Sequence, residues 1–130
     1  MRSRDSLLRL HRFRAEDKRR QAADIEAMIQ DFMRKYDDLD AQVRAEEARN
    51  GVGDPAHFNY SLAARAAGSR RDNVLKSISE LKDQLNDAQA ALKDEEAELR
   101  KVELLVEKEG SGGGAAPAAA PTQLAGAPAR

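Results

Sequence analysis

A chain of 130 residues in which 35% are charged, only 4% are aromatic and none is Trp cannot fill a wide globular core, so its apolar surface must be concentrated in a narrow seam. A formal net charge of −1 projects no overall field toward nucleic acid or membrane, and the absence of Cys excludes a disulfide framework and a thiolate metal site. The opening MRSRDSLLRLHRFR is basic but has no apolar run long enough for a signal peptide, and no stretch approaches the roughly 20 apolar residues of a membrane span.

Residues 3–49 contain neither Pro nor Gly and predict one long helix. Ala22, Ile25, Ile29, Phe32, Tyr36, Leu39 and Val43 alternate in steps of three and four, the spacing of a coiled-coil seam. Toward the start the pattern weakens to Lys18, Ala15, His11 and Leu8, while Leu7, Leu10 and Phe13 offer a shifted stripe.

The run NGVGDPAHFNY, residues 50–60, breaks this regularity. Asn50-Gly51 is a helix-stop signal, with Gly51 free to take the left-handed C-terminal conformation. Asp54 and Pro55 can restart a helix as N-cap and first helical position, and Ser61 is a later cap candidate. Phe58 and Tyr60 either pack over the end of the turn or present an apolar tip. The stretch is chemically sufficient as a hairpin turn.

Residues 61–109 hold one Gly, Gly68, and no Pro. Val74, Ile78, Leu81, Leu85, Ala88, Leu92, Glu95, Leu99, Val102 and Val106 continue the alternation, with Glu95 the one charged position. So narrow a seam calls for a single partner helix, and the first stretch supplies it. Residues 1–20 carry eight basic and three acidic side chains, whereas residues 80–109 carry five basic and ten acidic. An antiparallel hairpin lays the basic start beside the acidic end, while a parallel dimer would stack like charge on like. With residues 49 and 61 face to face, paired numbers sum to about 110. Tyr36 then meets Val74, Phe32 meets Ile78, Ile25 meets Leu85, Ala22 meets Ala88, and Glu95 falls near Arg14 and Lys18. Each helix of about 45 residues would span roughly 70 Å.

The expected fold is therefore all-α: a long two-helix antiparallel coiled-coil hairpin over residues 1–109, with helices at about 3–49 and 61–109 and the turn at 50–60. Residues 110–130, GSGGGAAPAAAPTQLAGAPAR, have nothing to bury and predict a disordered Gly/Ala/Pro-rich tail.

No catalytic, cofactor or metal site emerges, and the chain is not expected to be an enzyme. GVGDPA formally fits a dinucleotide-binding glycine fingerprint, but that motif follows a strand and this one follows a helix. His11 and His57 each lack a second His or Cys at metal spacing, so His57 reads as a surface or capping side chain. Clusters such as KDEEAELRK read as solvated faces with i,i+4 pairs. The basic run RFRAEDKRRQ lacks the asparagine and spaced alanines of a base-reading helix and is interrupted by Glu16 and Asp17, so nucleic acid is not an expected partner.

RSRDSLLRLHRFRAEDKRRQAADIEAMI, GVGDPAHFNY and RRDNVLKSISELKDQLNDAQAAL together resemble the flagellar FliJ-like type III export-apparatus proteins, most closely their alphaproteobacterial versions. The likeness covers residues 1 to about 109; its more specific parts are the basic stretch around Leu7, Leu10 and Phe13, and Asp54, Pro55 and Phe58. The resemblance implies a soluble, non-catalytic coiled-coil stalk without cofactor, cytoplasmic and peripheral at the flagellar base. Its implied partners are the hexameric export ATPase, the export gate membrane protein and substrate chaperones, with no membrane insertion of its own. It directs the expected partner contacts to Arg2, Arg4, Leu7, Arg9, Leu10, Arg12 and Arg14, and the hairpin turn to Gly51, Asp54, Pro55, Phe58 and Tyr60. The competing readings are a generic cytoplasmic coiled-coil scaffold and a holdase-type chaperone.

Overall fold

The computed structural model describes residues 3–114. It is a helical hairpin of α1, Ser3–Asn50, and α2, Leu62–Gly114, joined by an eleven-residue turn, with no strand among the described residues. The described residues form two compact units, one of residues 20–89 and one built from residues 3–19 and 90–114.

In the unit of residues 20–89, the α1 seam positions Ala22, Ile25, Ile29, Phe32, Tyr36, Leu39 and Val43 are all buried or half-buried, and so are Val74, Ile78, Leu81, Leu85 and Ala88 of α2. Ile29, Ile78 and Leu81 are 6% exposed and Val43 5%. The flanking polar positions are mostly exposed, as expected of a two-helix seam with no third layer to cover it. Arg71 donates to Asp40 across the helices at 2.9 Å, and Asp40 also takes Arg44 of its own helix at 2.9 Å. The bond to Asp40 is the main reason the Arg71 pKa rises above its ordinary value. The Asp40–Arg71 numbers add to 111, one from the expected register, and the approach of Gly68 to Val43 gives the same sum.

Ala64 and Ala67 are completely buried, and a Cβ placed on Gly68 would lie 4.0 Å from Val43 Cγ2. This is ordinary van der Waals distance, so a methyl fits without displacing α1. Gly68→Ala removes a helix-interior glycine and is expected to raise stability by about 0.5–1 kcal/mol, read as a shift in urea midpoint at constant slope.

In the other unit, Arg4 reaches Glu109 at 3.2 Å and Arg19 reaches Glu96 at 3.3 Å, which makes this pair antiparallel as well. Its seam comprises Leu8, His11, Ala15 and Lys18 of α1 with Leu92, Glu95, Leu99, Val102 and Val106 of α2, all buried or half-buried. The weaker of the two candidate stripes is thus the one used. Leu7, Leu10 and Phe13 remain outside, 37%, 43% and 62% exposed. Ala15 is fully buried.

Glu95 departs from expectation. Its seam neighbour is His11, with Nδ1 and Oε1 3.8 Å apart, rather than Arg14 or Lys18. Both atoms are buried, and the separation is too long for a hydrogen bond. Lysine and arginine carry their charge on long stems that reach past the seam to water, whereas the short imidazole stays within it. The two groups attract as an ion pair only when the imidazole carries a proton.

One end of α2 differs from expectation. The helix begins at Leu62, in agreement with the expected start at about 61, but continues through residues 110–114, beyond the expected end, despite their glycines. The remainder of the expected disordered tail, residues 115–130, lies outside the described residues.

Candidate functional site

A shallow groove on α1, lined by Met28, Asp31, Phe32, Arg34, Lys35 and Asp38, is open to solvent. Arg34 pairs with Asp31, and the Lys35 ammonium sits 5.1 Å from the centre of the Phe32 ring, so this groove's side chains largely satisfy one another. Among the described residues, no group of three or more His, Asp or Glu could hold a metal ion, and no helix is long and apolar enough to cross a membrane. Exposed charged and apolar side chains gather at two places.

The first is the unit holding the start of α1. Arg9, Arg12 and Arg14 are exposed, and none of them forms an ion pair with another described residue. Arg4 differs, because its guanidinium is engaged by Glu109. Arg2 lies outside the described residues. The exposed Leu7 precedes Arg9, Arg12 and Arg14, the exposed Leu10 and Phe13 lie between them, and the same unit exposes Leu104 and Leu105, 64% and 44%. The sequence pattern did not single out these last two leucines, since a lone outward leucine beside a regular seam carries no signal of its own.

The second place is the turn, which is built in detail. Gly51 has φ +78°, and its amide donates to Glu47 O at 2.8 Å, closing α1 with a left-handed cap. A Cβ at Gly51 would meet no atom within 4 Å, so any cost of a side chain there is backbone strain alone. Gly51→Ala is expected to lose about 1 kcal/mol in chemical denaturation, and Gly51→Asn less, because Asn tolerates this conformation better.

Asp54 does not start a helix. Its carboxylate accepts the Ala56 amide at 3.0 Å and its carbonyl accepts the His57 amide at 2.9 Å, an Asx-type turn that carries the chain past Pro55. The N-cap is Ser61, whose Oγ accepts the Ala64 amide at 3.1 Å. His57 does act as a local cap, its Nδ1 accepting the Asn59 amide at 3.0 Å.

Two clamps that the residue pattern did not reveal brace the turn. The Asn50 side chain donates through Nδ2 to Asn59 O at 2.7 Å, and the Arg65 guanidinium donates to Pro55 O at 3.1 Å. Both are made to backbone carbonyls, which any residue type can supply. The two apolar turn residues divide their roles. Tyr60 packs inward at 8% exposure, donates its hydroxyl to Glu47 Oε2 at 2.6 Å and lies under Arg65. That bond to a carboxylate, foremost among several causes, raises the Tyr60 pKa above its ordinary value. Phe58 stays 94% exposed, stacked on His57 with ring centres 4.8 Å apart, and Leu62, the first residue of α2, is 82% exposed.

Comparison of the chain with protein-family models, curated proteins and solved structures finds no match.

Proposed function

We propose that this chain is a non-catalytic coiled-coil component of the flagellar type III export apparatus, coupling a hexameric export ATPase to the membrane export gate and escorting substrate chaperones. The observation that carries this reading is the terminal unit. An α1 end with three exposed guanidiniums that form no ion pair with another described residue, and with an exposed apolar stripe, is suited to docking on an acidic or carbonyl-lined ring surface. The charges speed and orient the encounter, and Phe13, the most exposed of the stripe, supplies an apolar anchor. The likeness of residues 1–109 to FliJ-like proteins supplies the identity of the ring. A single asymmetric hairpin against a symmetric hexamer would favour assembly or cooperative turnover and would contribute no chemistry of its own.

The holdase-type reading draws on a different observation, the exposed Phe58 and Leu62 at the turn, which offer an apolar tip to unfolded or partly folded chains.

The test is the variant Arg9→Glu/Arg12→Glu, checked first for an unchanged helical signal and then assayed for binding to the purified export ATPase, for ATPase stimulation and for motility. The export reading expects binding and stimulation to fall more than about tenfold, with a reduced salt dependence of what remains. A folded variant that binds and stimulates like the parent removes this end as the docking end. A parent that does neither removes the export reading, and suppression of client aggregation that is lost with Phe58→Ser then favours the holdase.

A further inference from the structure

We propose that Asn50 is a deamidation site gated by the hairpin: the closed turn holds the reacting groups apart, and a chain whose turn has opened becomes chemically marked. The inference is independent of the export reading and starts from the pair Asn50-Gly51. The other asparagines, Asn59, Asn73 and Asn86, are followed by Tyr, Val and Asp, whose side chains shield the next amide nitrogen. Gly51 carries no such shield. In an unrestrained chain the Gly51 nitrogen, giving up its proton, attacks the side-chain carbonyl carbon of Asn50. The bond from that carbon to Nδ2 breaks, ammonia leaves with the proton, and a five-membered cyclic imide remains. Water then opens the imide at either carbonyl, leaving aspartate or isoaspartate in place of Asn50.

The folded turn blocks the first step at both groups. The Gly51 amide donates to Glu47 O at 2.8 Å, and Asn50 Nδ2 donates to Asn59 O at 2.7 Å. Attack requires the nitrogen to lose the proton it donates, and requires the side chain to leave Asn59 and swing toward Gly51. Asn50 is also the last residue of α1, and ring closure needs a rotation about its Cα–C bond out of the helical conformation. Burial adds no protection. Both residues are exposed, and a Cβ at Gly51 would meet no atom within 4 Å. Protection therefore rests on the turn staying closed and ends when it opens.

The product closes the turn less well than the parent. A carboxylate oxygen in the place of Nδ2 sets an acceptor against the Asn59 carbonyl, so the clamp is lost. The new negative charge sits at the C-terminal end of α1, next to Glu46 and Glu47, where the helix dipole disfavours it. Isoaspartate in addition inserts a methylene into the backbone before Gly51 and carries its amide away from Glu47 O. The mark thus accumulates on chains that open most often and favours their staying open.

The test is incubation of the full chain in mildly alkaline buffer, with mass spectrometry of the peptide carrying Asn50. Deamidation is expected to be more than about tenfold slower in the folded parent than in the same chain in urea. Leu81→Asp should approach the rate seen in urea. Gly51→Ala in urea should be slower than the parent in urea by more than about tenfold, because its methyl shields the nitrogen. Asn50→Asp is expected to lower the urea midpoint at constant slope, and by more than Asn50→Ala does. No deamidation at Asn50 in urea overturns the site. Equal rates in the folded parent and in urea overturn the gating, and Asn50→Asp as stable as the parent overturns the effect of the mark on the turn.

Discussion

Leu81→Asp is expected to abolish cooperative melting of the helix pair formed by residues 20–89, and Leu81→Ala to lower its stability by about 2–3 kcal/mol. Leu81 is 6% exposed in the middle of the seam. The alanine estimate sits at the low end for a core leucine, because a seam between two helices borders solvent on both sides and water reaches part of any vacated space. Aspartate adds a second cost, because its carboxylate arrives at a position with no cation built to meet it. A unit with few other strongly buried side chains has little reserve against that sum. Thermal melting followed by circular dichroism reads both variants. A melt unchanged in Leu81→Asp would mean that Ile78 and Leu81 do not face the partner helix.

The second large effect comes from adding bulk. Ala64 and Ala67 are each 0% exposed, next to the point where Gly68 nears Val43. Ala67→Leu must push the helices apart or force neighbouring side chains off their rotamers, at a cost of about 1–3 kcal/mol. Ala64→Leu/Ala67→Leu is expected to lose more than either single change and to strain the turn, since Ser61, the cap of α2, lies only three residues before Ala64. Denaturant titration of the three variants measures this, and a double variant as stable as the parent would show that the close approach is not maintained in solution. The contrast with Gly68→Ala, which is expected to stabilise, separates a fully enclosed Cβ from one with a methyl's room beside it.

Most of the fold was legible because a seam is a periodic signal. Every position from Val74 to Val106 chosen by the three-four alternation is buried or half-buried, including Glu95, and the cross-helix register in the unit of residues 20–89 lies within one residue of that expected from the turn alone. Opposed charge blocks indicated the antiparallel direction, and Arg4–Glu109 and Arg19–Glu96 realise it. The start of α1 was less legible, because two stripes coexist there and periodicity alone ranks them poorly. The stripe with more large apolar residues stays outside, and the one containing His11 and Lys18 forms the seam.

The turn was legible only in part, for a different reason. Gly51 announces a positive φ because few other residues adopt one, and it does so. Asp54-Pro55 serves a helix start and an Asx turn equally well in local chemistry; the clamps from Asn50 and Arg65 to backbone carbonyls of the turn fix the second outcome. Such contacts join residues nine and ten apart and depend on how the helices are already placed. The same limit applies to the terminal arginines, since spacing alone does not tell Arg4, engaged by Glu109, from Arg9, Arg12 and Arg14, which are not.

The most direct test of the working-end assignment is site-specific photocrosslinking of the full chain to the purified export ATPase. A photoreactive phenylalanine analogue replaces Phe13 in one preparation and Phe58 in another. Both side chains are exposed, so neither substitution removes a seam contact. The account predicts a strong, salt-sensitive crosslink from position 13 and little from position 58. Crosslinking from position 58 alone, or from neither position under conditions where the two proteins co-sediment, would contradict it.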